Sequence, residues 1–384
     1  MTIFRLSFEH AVQGDTTVQT ITLDAEPQPA SFPVPLRIIT KFPGLPLPAP
    51  SVLDGPLFST LMIAMGREGT VLEIDGPISA AAMRNAQAYQ EAFASMLPGR
   101  FRVVEIAPRE VVQGPQVRGP SAIAAFSGGL DSTFTLIRHA KKLLGQGSYP
   151  ITHALMVHGL DVRLRHRDVF TSLRERVQPL LDELGVKLIT ARTNVRNPLA
   201  HEPKFQVQPY AYSQAAQIAG VLHRLSEDQF FSGLIGSTEP YRALVLPWGS
   251  NPATDYLLSN DRFSIVHDGA AFTRSEKAAL VAEHPTALST LRVCMRQTPG
   301  NCGVCEKCVR TRLNLMVVGV DHPPCFDQPF HDDMIEGLEV WNPTVLGEAN
   351  ATVAYAEAAG VSAPWLSRLK ERIAALSDRR PPAG

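Results

Sequence analysis

The chain opens with short runs in which apolar and polar residues alternate, the period of a half-buried strand. Strands are expected over residues 2–8, 18–23 and 35–41, and again over 70–74 and 101–106. A proline-rich stretch, 42–50, separates the third from the fourth, and residues 79–97 carry a helical period. A turn-rich stretch, Gly114-Pro115-Gln116-Val117-Arg118-Gly119-Pro120, then breaks the pattern. From residue 121 the texture changes. Compact apolar runs at 122–126, 152–158, 187–191 and 228–234 alternate with helical segments at 131–144, 168–184 and 212–225. In the first of these helices Phe134, Ile137, Ala140 and Leu144 share one face. Two more helical patterns, 346–359 and 363–376, close the chain, the second with Trp365, Leu369, Ile373 and Leu376 in phase; the final Pro381-Pro382-Ala383-Gly384 should fray.

Strand–helix alternation implies a parallel sheet with helices on both faces, and in such sheets ligands bind at the carboxyl ends of the strands. The expected fold is therefore α/β, divided into a mixed α/β extension at 1–115, a parallel-sheet domain at 116–325 that ends in a four-cysteine knuckle at 294–308, and a helical segment at 326–384. No internal repeat or low-complexity block interrupts it.

Composition sets limits on partners. The chain has 384 residues, 45% of them hydrophobic, enough to bury a substantial core. With 36 basic and 37 acidic side chains the formal charge is −1, which gives no electrostatic footprint for nucleic acid or an anionic membrane. Glu9 and His10 precede any long apolar run, unlike a secretory leader, and no stretch approaches the roughly 20 apolar residues of a membrane span. A cytoplasmic protein is expected. In that compartment thiols stay reduced, so clustered cysteines point to metal rather than to disulfides.

Such a cluster exists. Four of the five cysteines, Cys294, Cys302, Cys305 and Cys308, follow a C-x7-C-x2-C-x2-C spacing, and Cys325 stands apart as a spare thiol or core residue. Four thiolates suit tetrahedral Zn²⁺ at about 2.3 Å and leave no open coordination position, which makes the site structural. Gly303 would ease the turn between the second and third ligands. An iron–sulfur cluster and unrelated buried thiols remain as alternatives.

The second chemical feature is Ser127-Gly128-Gly129-Leu130-Asp131-Ser132, between an expected strand and an expected helix. Glycines allow successive N–H groups to turn inward and a phosphate to approach closely. Ser127 and Ser132 add hydroxyls, and the helix N-terminus favours an anion. The loop lacks the lysine of GxxxxGK[ST] and is not GxGxxG. An acidic residue within it would repel phosphate, so Asp131 suggests a bridging Mg²⁺.

The SGGLDS loop resembles the signature SGGxDS of the PP-loop ATP pyrophosphatase superfamily, which binds the phosphates of ATP there and cleaves between the α and β phosphates. Combined with the cysteine spacing, the chain is similar to 7-cyano-7-deazaguanine synthases, in which four cysteines hold a structural zinc. Further likeness lies in Thr273-Arg274-Ser275-Glu276-Lys277, in Leu291-Arg292-Val293-Cys294, in Arg310 and Arg312, and in Asp321-His322-Pro323. It spans about 121–325. The end of the second strand departs, reading Val157-His158-Gly159-Leu160-Asp161 where the family has Tyr-Gly-Gln-Arg-His.

The resemblance implies an adenine-nucleotide-hydrolase-like fold and an ATP-dependent carbon–nitrogen ligase. Asp131 and Ser132 would act in catalysis. Ser127, Gly128, Gly129, Asp131, Ser132, His158 and Ser237 would bind nucleotide. ATP, Mg²⁺ and Zn²⁺ are the cofactors. A small-molecule carboxylate or a macromolecular acceptor would be joined to ammonia or an amine, without membrane or nucleic acid, and pairing of the chain as a homodimer is left open. His158 and Ser237 read equally as a satisfied rim histidine and a plain turn. Trp248 reads as a base-stacking surface or a core indole. Arg163, Arg165, His166 and Arg167 read as anion holders or a solvated run, and Arg274 and Lys277 as pocket or structural cations. The alternatives for function are an RNA-thiolating enzyme on the same fold and an ATP-binding module without turnover.

Overall fold

The computed structural model describes residues 2–66, 69–113, 119, 121–199, 210–226, 230–338 and 343–377. It is α/β, built on one mostly parallel ten-stranded sheet. The first strands are β1 (Thr2–Gln13), β2 (Thr16–Glu26) and β3 (Leu36–Phe42), followed by β4 (Gly69–Ser79) and β5 (Glu105–Val112). The second set is β6 (Ser121–Ala125), β7 (Ile151–His158), β8 (Lys187–Thr193), β9 (Phe230–Gly236) and β10 (Ser264–Asp268). Their order across the sheet is β10-β9-β6-β7-β8-β3-β2-β1-β4-β5. Within β10-β9-β6-β7-β8 all pairings are parallel. The chain then crosses into the amino-terminal strands through an antiparallel contact, Thr40 opposite Thr193 and Lys41 opposite Arg192, where the two threonine hydroxyls bond at 2.9 Å.

Burial follows the pairing. β2 alternates buried and half-buried residues, the period expected of a sheet with one wet face. The first four residues of β6 are all buried, because helices cover both faces there. Successive β6 side chains feed different cores: Ile123 joins Phe4, Leu23, Phe58, Tyr89 and Phe263, whereas Ala122 and Ala124 join Phe134, Leu173, Leu234 and Cys308. The first core draws on residues 1–115 and on the second set of strands alike, so the two parts of the chain meet across an apolar interior. A third cluster packs Val309 and Leu313 against Trp365, Leu369 and Ile373 near the carboxyl end.

The helices are α1 (Asp54–Ala64), α2 (Ala80–Met96), α3 (Leu130–Ala140), α4 (Arg167–Leu184), α5 (Tyr210–Leu222), α6 (Arg274–Ala282), α7 (Pro285–Thr290), α8 (Glu306–Met316), α9 (Pro343–Ala358) and α10 (Pro364–Ser377). Five of them, α2, α4, α5, α9 and α10, follow the expected periodic stretches closely. Helix α1 is not visible in the polar–apolar pattern because every one of its residues is buried; a helix covered all round has no polar face to give a period. The helix expected over 131–144 stops at Ala140, because Lys142 takes φ 54° and turns the chain. Leu143 and Leu144 are therefore exposed rather than in the core. The strand expected over 101–106 lies later, at β5, while Phe101 leaves the strand to pack in the first core. The turn at 114–120, apart from Gly119, residues 228–229 and the terminal prolines lie outside the described residues. Among the described residues no helix is long and apolar enough to cross a membrane.

Candidate functional site

The SGGLDS segment leaves the carboxyl end of β6 and enters α3, as the alternation requires. Its serines brace the turn: the Ser132 hydroxyl donates to the Gly129 carbonyl at 3.1 Å and accepts from the Ser127 amide at 3.3 Å. The Gly128 carbonyl accepts the Arg292 amide at 2.8 Å, which ties the loop to the segment entering the cysteine cluster.

The four cysteines converge. All four sulfurs lie within 4.8 Å of one another. Cys294 and Cys305 Sγ are 3.9 Å apart, and so are Cys302 and Cys308. Sulfurs at about 2.3 Å from one tetrahedral ion sit about 3.8 Å apart, so the spacing suits a single metal such as zinc. Cys305 caps α8 and Cys308 lies in its first turn. Asn301 Oδ1 accepts the Val293 and Cys294 amides, and the Cys305 amide bonds Cys302 Sγ at 3.3 Å. Gly303 takes φ 76°, the left-handed turn its position called for. Hydrogen bonds from Cys305 and Cys308 pull the Cys294 thiol well below its usual range and push both donors up. Cys325 is excluded from the set. It is buried in the second core, and burial pushes its thiol up to about 12.

Loop and knuckle face the same cavity, about 510 Å³, within the size range of small-molecule sites. Ser127, Gly129, Asp131 and Ser132 line one part of it, with Leu155, Met156 and Val157 of β7 beside them. Cys294, Met295, Gln297, Lys307 and Arg310 form the knuckle wall, and Tyr210, Gln214 and Trp248 face in from α5 and the following loop. The α9 residues Thr344 and Glu348 close another side.

A chain of buried charges runs beneath this floor. Asp131 accepts Arg274 Nη1 at 2.5 Å and Lys277 Nζ at 3.3 Å. Arg274 also approaches Glu348 at 3.5 Å, and Glu348 pairs with Arg310, which pairs with Glu306 at 2.8 Å. Burial raises the Asp131 carboxyl, but the opposing fields of Arg274, Lys277 and Lys307 win and hold it below the usual carboxylate range. Burial lowers the Lys277 ammonium against the pull of Asp131. Arg274 and Lys277 open α6 behind a capping box, Thr273 with Glu276, and are fully enclosed, so of the two readings of this pair the structural one describes Lys277 and both describe Arg274, which also lines the cavity.

This arrangement corrects the charge argument for magnesium. Both Asp131 oxygens are taken by protein cations, so its charge needs no divalent partner, and the described residues here do not fit a magnesium site of their own. Two expected nucleotide contacts also turn elsewhere. His158 is 5% exposed, stacks on Phe170 with ring centroids 4.5 Å apart, and bonds the Arg163 carbonyl at 3.1 Å; it does not line the cavity. The Ser237 hydroxyl donates to the Glu239 carbonyl at 2.6 Å, and the residue is fully buried; its neighbours Gly236 and Thr238 line the cavity instead. Trp248 and Arg163 are on the wall, whereas Arg165 and His166 bond each other at 3.0 Å. Arg312 packs over Phe326 beneath the knuckle.

Glu348, Lys307 and Gln214 escaped the sequence reading. Glu348 and Gln214 sit in ordinary helical stretches with no local motif. Lys307 did carry a signal, a cation between two metal-ligand cysteines. Comparison with models of known families, with curated proteins and with solved structures gives no match to the chain.

Proposed function

We propose that the chain is an ATP-dependent carbon–nitrogen ligase of the PP-loop kind, similar to 7-cyano-7-deazaguanine synthase, working in a reducing compartment such as the cytoplasm. The observation that carries this reading is the complete SGGLDS turn, set at a strand's carboxyl end on the floor of a cavity of about 510 Å³. In the first step a carboxylate oxygen of the substrate attacks the α-phosphorus of ATP. The bond to the bridging oxygen breaks and pyrophosphate leaves. Ammonia or an amine then attacks the acyl carbon, a proton is lost, and AMP departs to leave an amide. Attack of the amide oxygen on the α-phosphorus of a second ATP, with release of pyrophosphate, followed by loss of AMP and both amide N–H protons would give a nitrile.

The chain's own contribution is positioning and charge neutralisation. Loop amides and hydroxyls would hold the phosphates, and the apolar β7 wall would exclude water. Zinc would fix the knuckle and leave no open position for chemistry. Magnesium would arrive on the nucleotide's own phosphates. Thiolation is less favoured by the same geometry, since the knuckle gathers four thiols and Cys325 is 3% exposed in a core. The test is pyrophosphate release from ATP across a panel of carboxylates with ammonia, 7-carboxy-7-deazaguanine first. Pyrophosphate and AMP should appear together, and only with both co-substrates. Orthophosphate as the product, or no turnover with any carboxylate, would sink the proposal.

A further inference from the structure

Five of the cations around the loop and its cavity are already engaged, Arg196 by the Leu160 carbonyl and the Tyr210 ring. Arg274 is held by Asp131 and Glu348, and Lys277 by Asp131 and the Ser237 carbonyl. Arg310 is held by Glu306 and Glu348, and Arg292 donates to the Arg296 and Thr298 carbonyls. In the buried network three carboxylates face three cations, so it has little charge to spare for a polyanion. Of the two others on the wall, Arg163 is exposed and Lys307 is the more enclosed. It lines the cavity, is half-buried, and among the described residues makes no hydrogen bond or ion pair. Its field reaches Asp131.

Building on the nucleotide reading above, we infer that Lys307 is the side chain that meets the phosphates of the bound nucleotide, and that the cysteine knuckle holds it in place. An ammonium on the cavity wall with no carboxylate partner is free to meet an anionic ligand, and a flexible lysine stem suits a polyphosphate as a mobile point charge. The knuckle supplies the rigidity that stem lacks. Lys307 lies between Cys305, which caps α8, and Cys308 in its first turn. A metal shared by those sulfurs fixes the backbone on both sides of the lysine. The knuckle would thus also serve as a mount for this lysine on the cavity wall.

The test uses full-length, zinc-loaded protein and calorimetric titration with ATP, AMP and inorganic pyrophosphate. Lys307→Gln should weaken ATP and pyrophosphate about tenfold or more, or about 1.4 kcal/mol, and AMP by clearly less. Lys307→Arg should keep most of the affinity, and both variants should retain wild-type zinc content. Zinc removal from the wild type should weaken pyrophosphate binding in the same direction. Undiminished ATP and pyrophosphate binding by a zinc-replete Lys307→Gln protein would overturn this inference alone. An equal loss by both variants together with loss of zinc would also overturn it, as a structural effect. A wild-type protein that binds none of the three ligands would remove the nucleotide reading and this inference with it.

Discussion

The tie between Asp131 and the cations behind it can be measured directly. The carboxylate is 15% exposed, against 2% for Arg274 and 0% for Lys277. Asp131→Asn keeps the shape and removes the charge. Stripping one partner from a buried pair costs about 3–5 kcal/mol, because the other charge is left enclosed. Here the lower end is expected, about 3 kcal/mol. Arg274 keeps Glu348, and Lys277, its ammonium already destabilised by burial, can shed its proton. Urea unfolding of zinc-loaded protein, in buffer without Mg²⁺, gives the single variants Asp131→Asn and Lys277→Met and their combination. The double variant should be better off than the sum by at least about 1.5 kcal/mol, well outside the roughly 0.5 kcal/mol scatter of independent sites. pH gives a second handle. The folded Asp131 carboxyl lies below its unfolded value, near about 3.9. Its stabilisation is therefore present above that value and fades as pH falls through the folded one, so the gap between wild type and Asp131→Asn should close in acid. Additive variants would refute the coupling. So would an Asp131→Asn protein as stable as wild type without Mg²⁺, the behaviour of a carboxylate kept only for a metal.

Two further outcomes test the scaffold. Purified protein should carry about one zinc per chain; Cys308→Ser should lose it and a chelator should unfold the knuckle, since closed four-thiolate sites contribute on the order of 10 kcal/mol to small zinc domains. Visible absorbance from stoichiometric iron would contradict the zinc assignment. Gly159→Ala should destabilise the chain by more than about 2 kcal/mol, because Gly159 has φ 116° and an added Cβ would fall 1.7 Å from the Thr193 carbonyl oxygen. An unfolding midpoint equal to wild type would disprove that packing of the β7 exit on β8.

The sequence alone was enough to place the strand–loop–helix unit around Ser127–Ser132, because period and glycine chemistry are local properties. The same holds for the cysteine set, whose ligand spacing is written in consecutive turns, and for the opening of α6, where Thr273 and Glu276 form a capping box within four residues. It did not reveal α1, whose uniform burial erases the amphipathic signal, or the departure of Phe101 from its strand to fill a core. Only the tertiary structure joined residues 1–115 to the rest through β3 and β8, a pairing of residues more than 150 positions apart. It alone assigned Asp131 to Arg274 and Lys277, turned His158 and Ser237 inward, brought Glu348 of α9 beneath the loop, and left Lys307 without a partner among the described residues. Local pattern fixes which backbone a segment adopts. Which charges compensate one another in a low-dielectric interior depends on segments that meet only after the chain has folded.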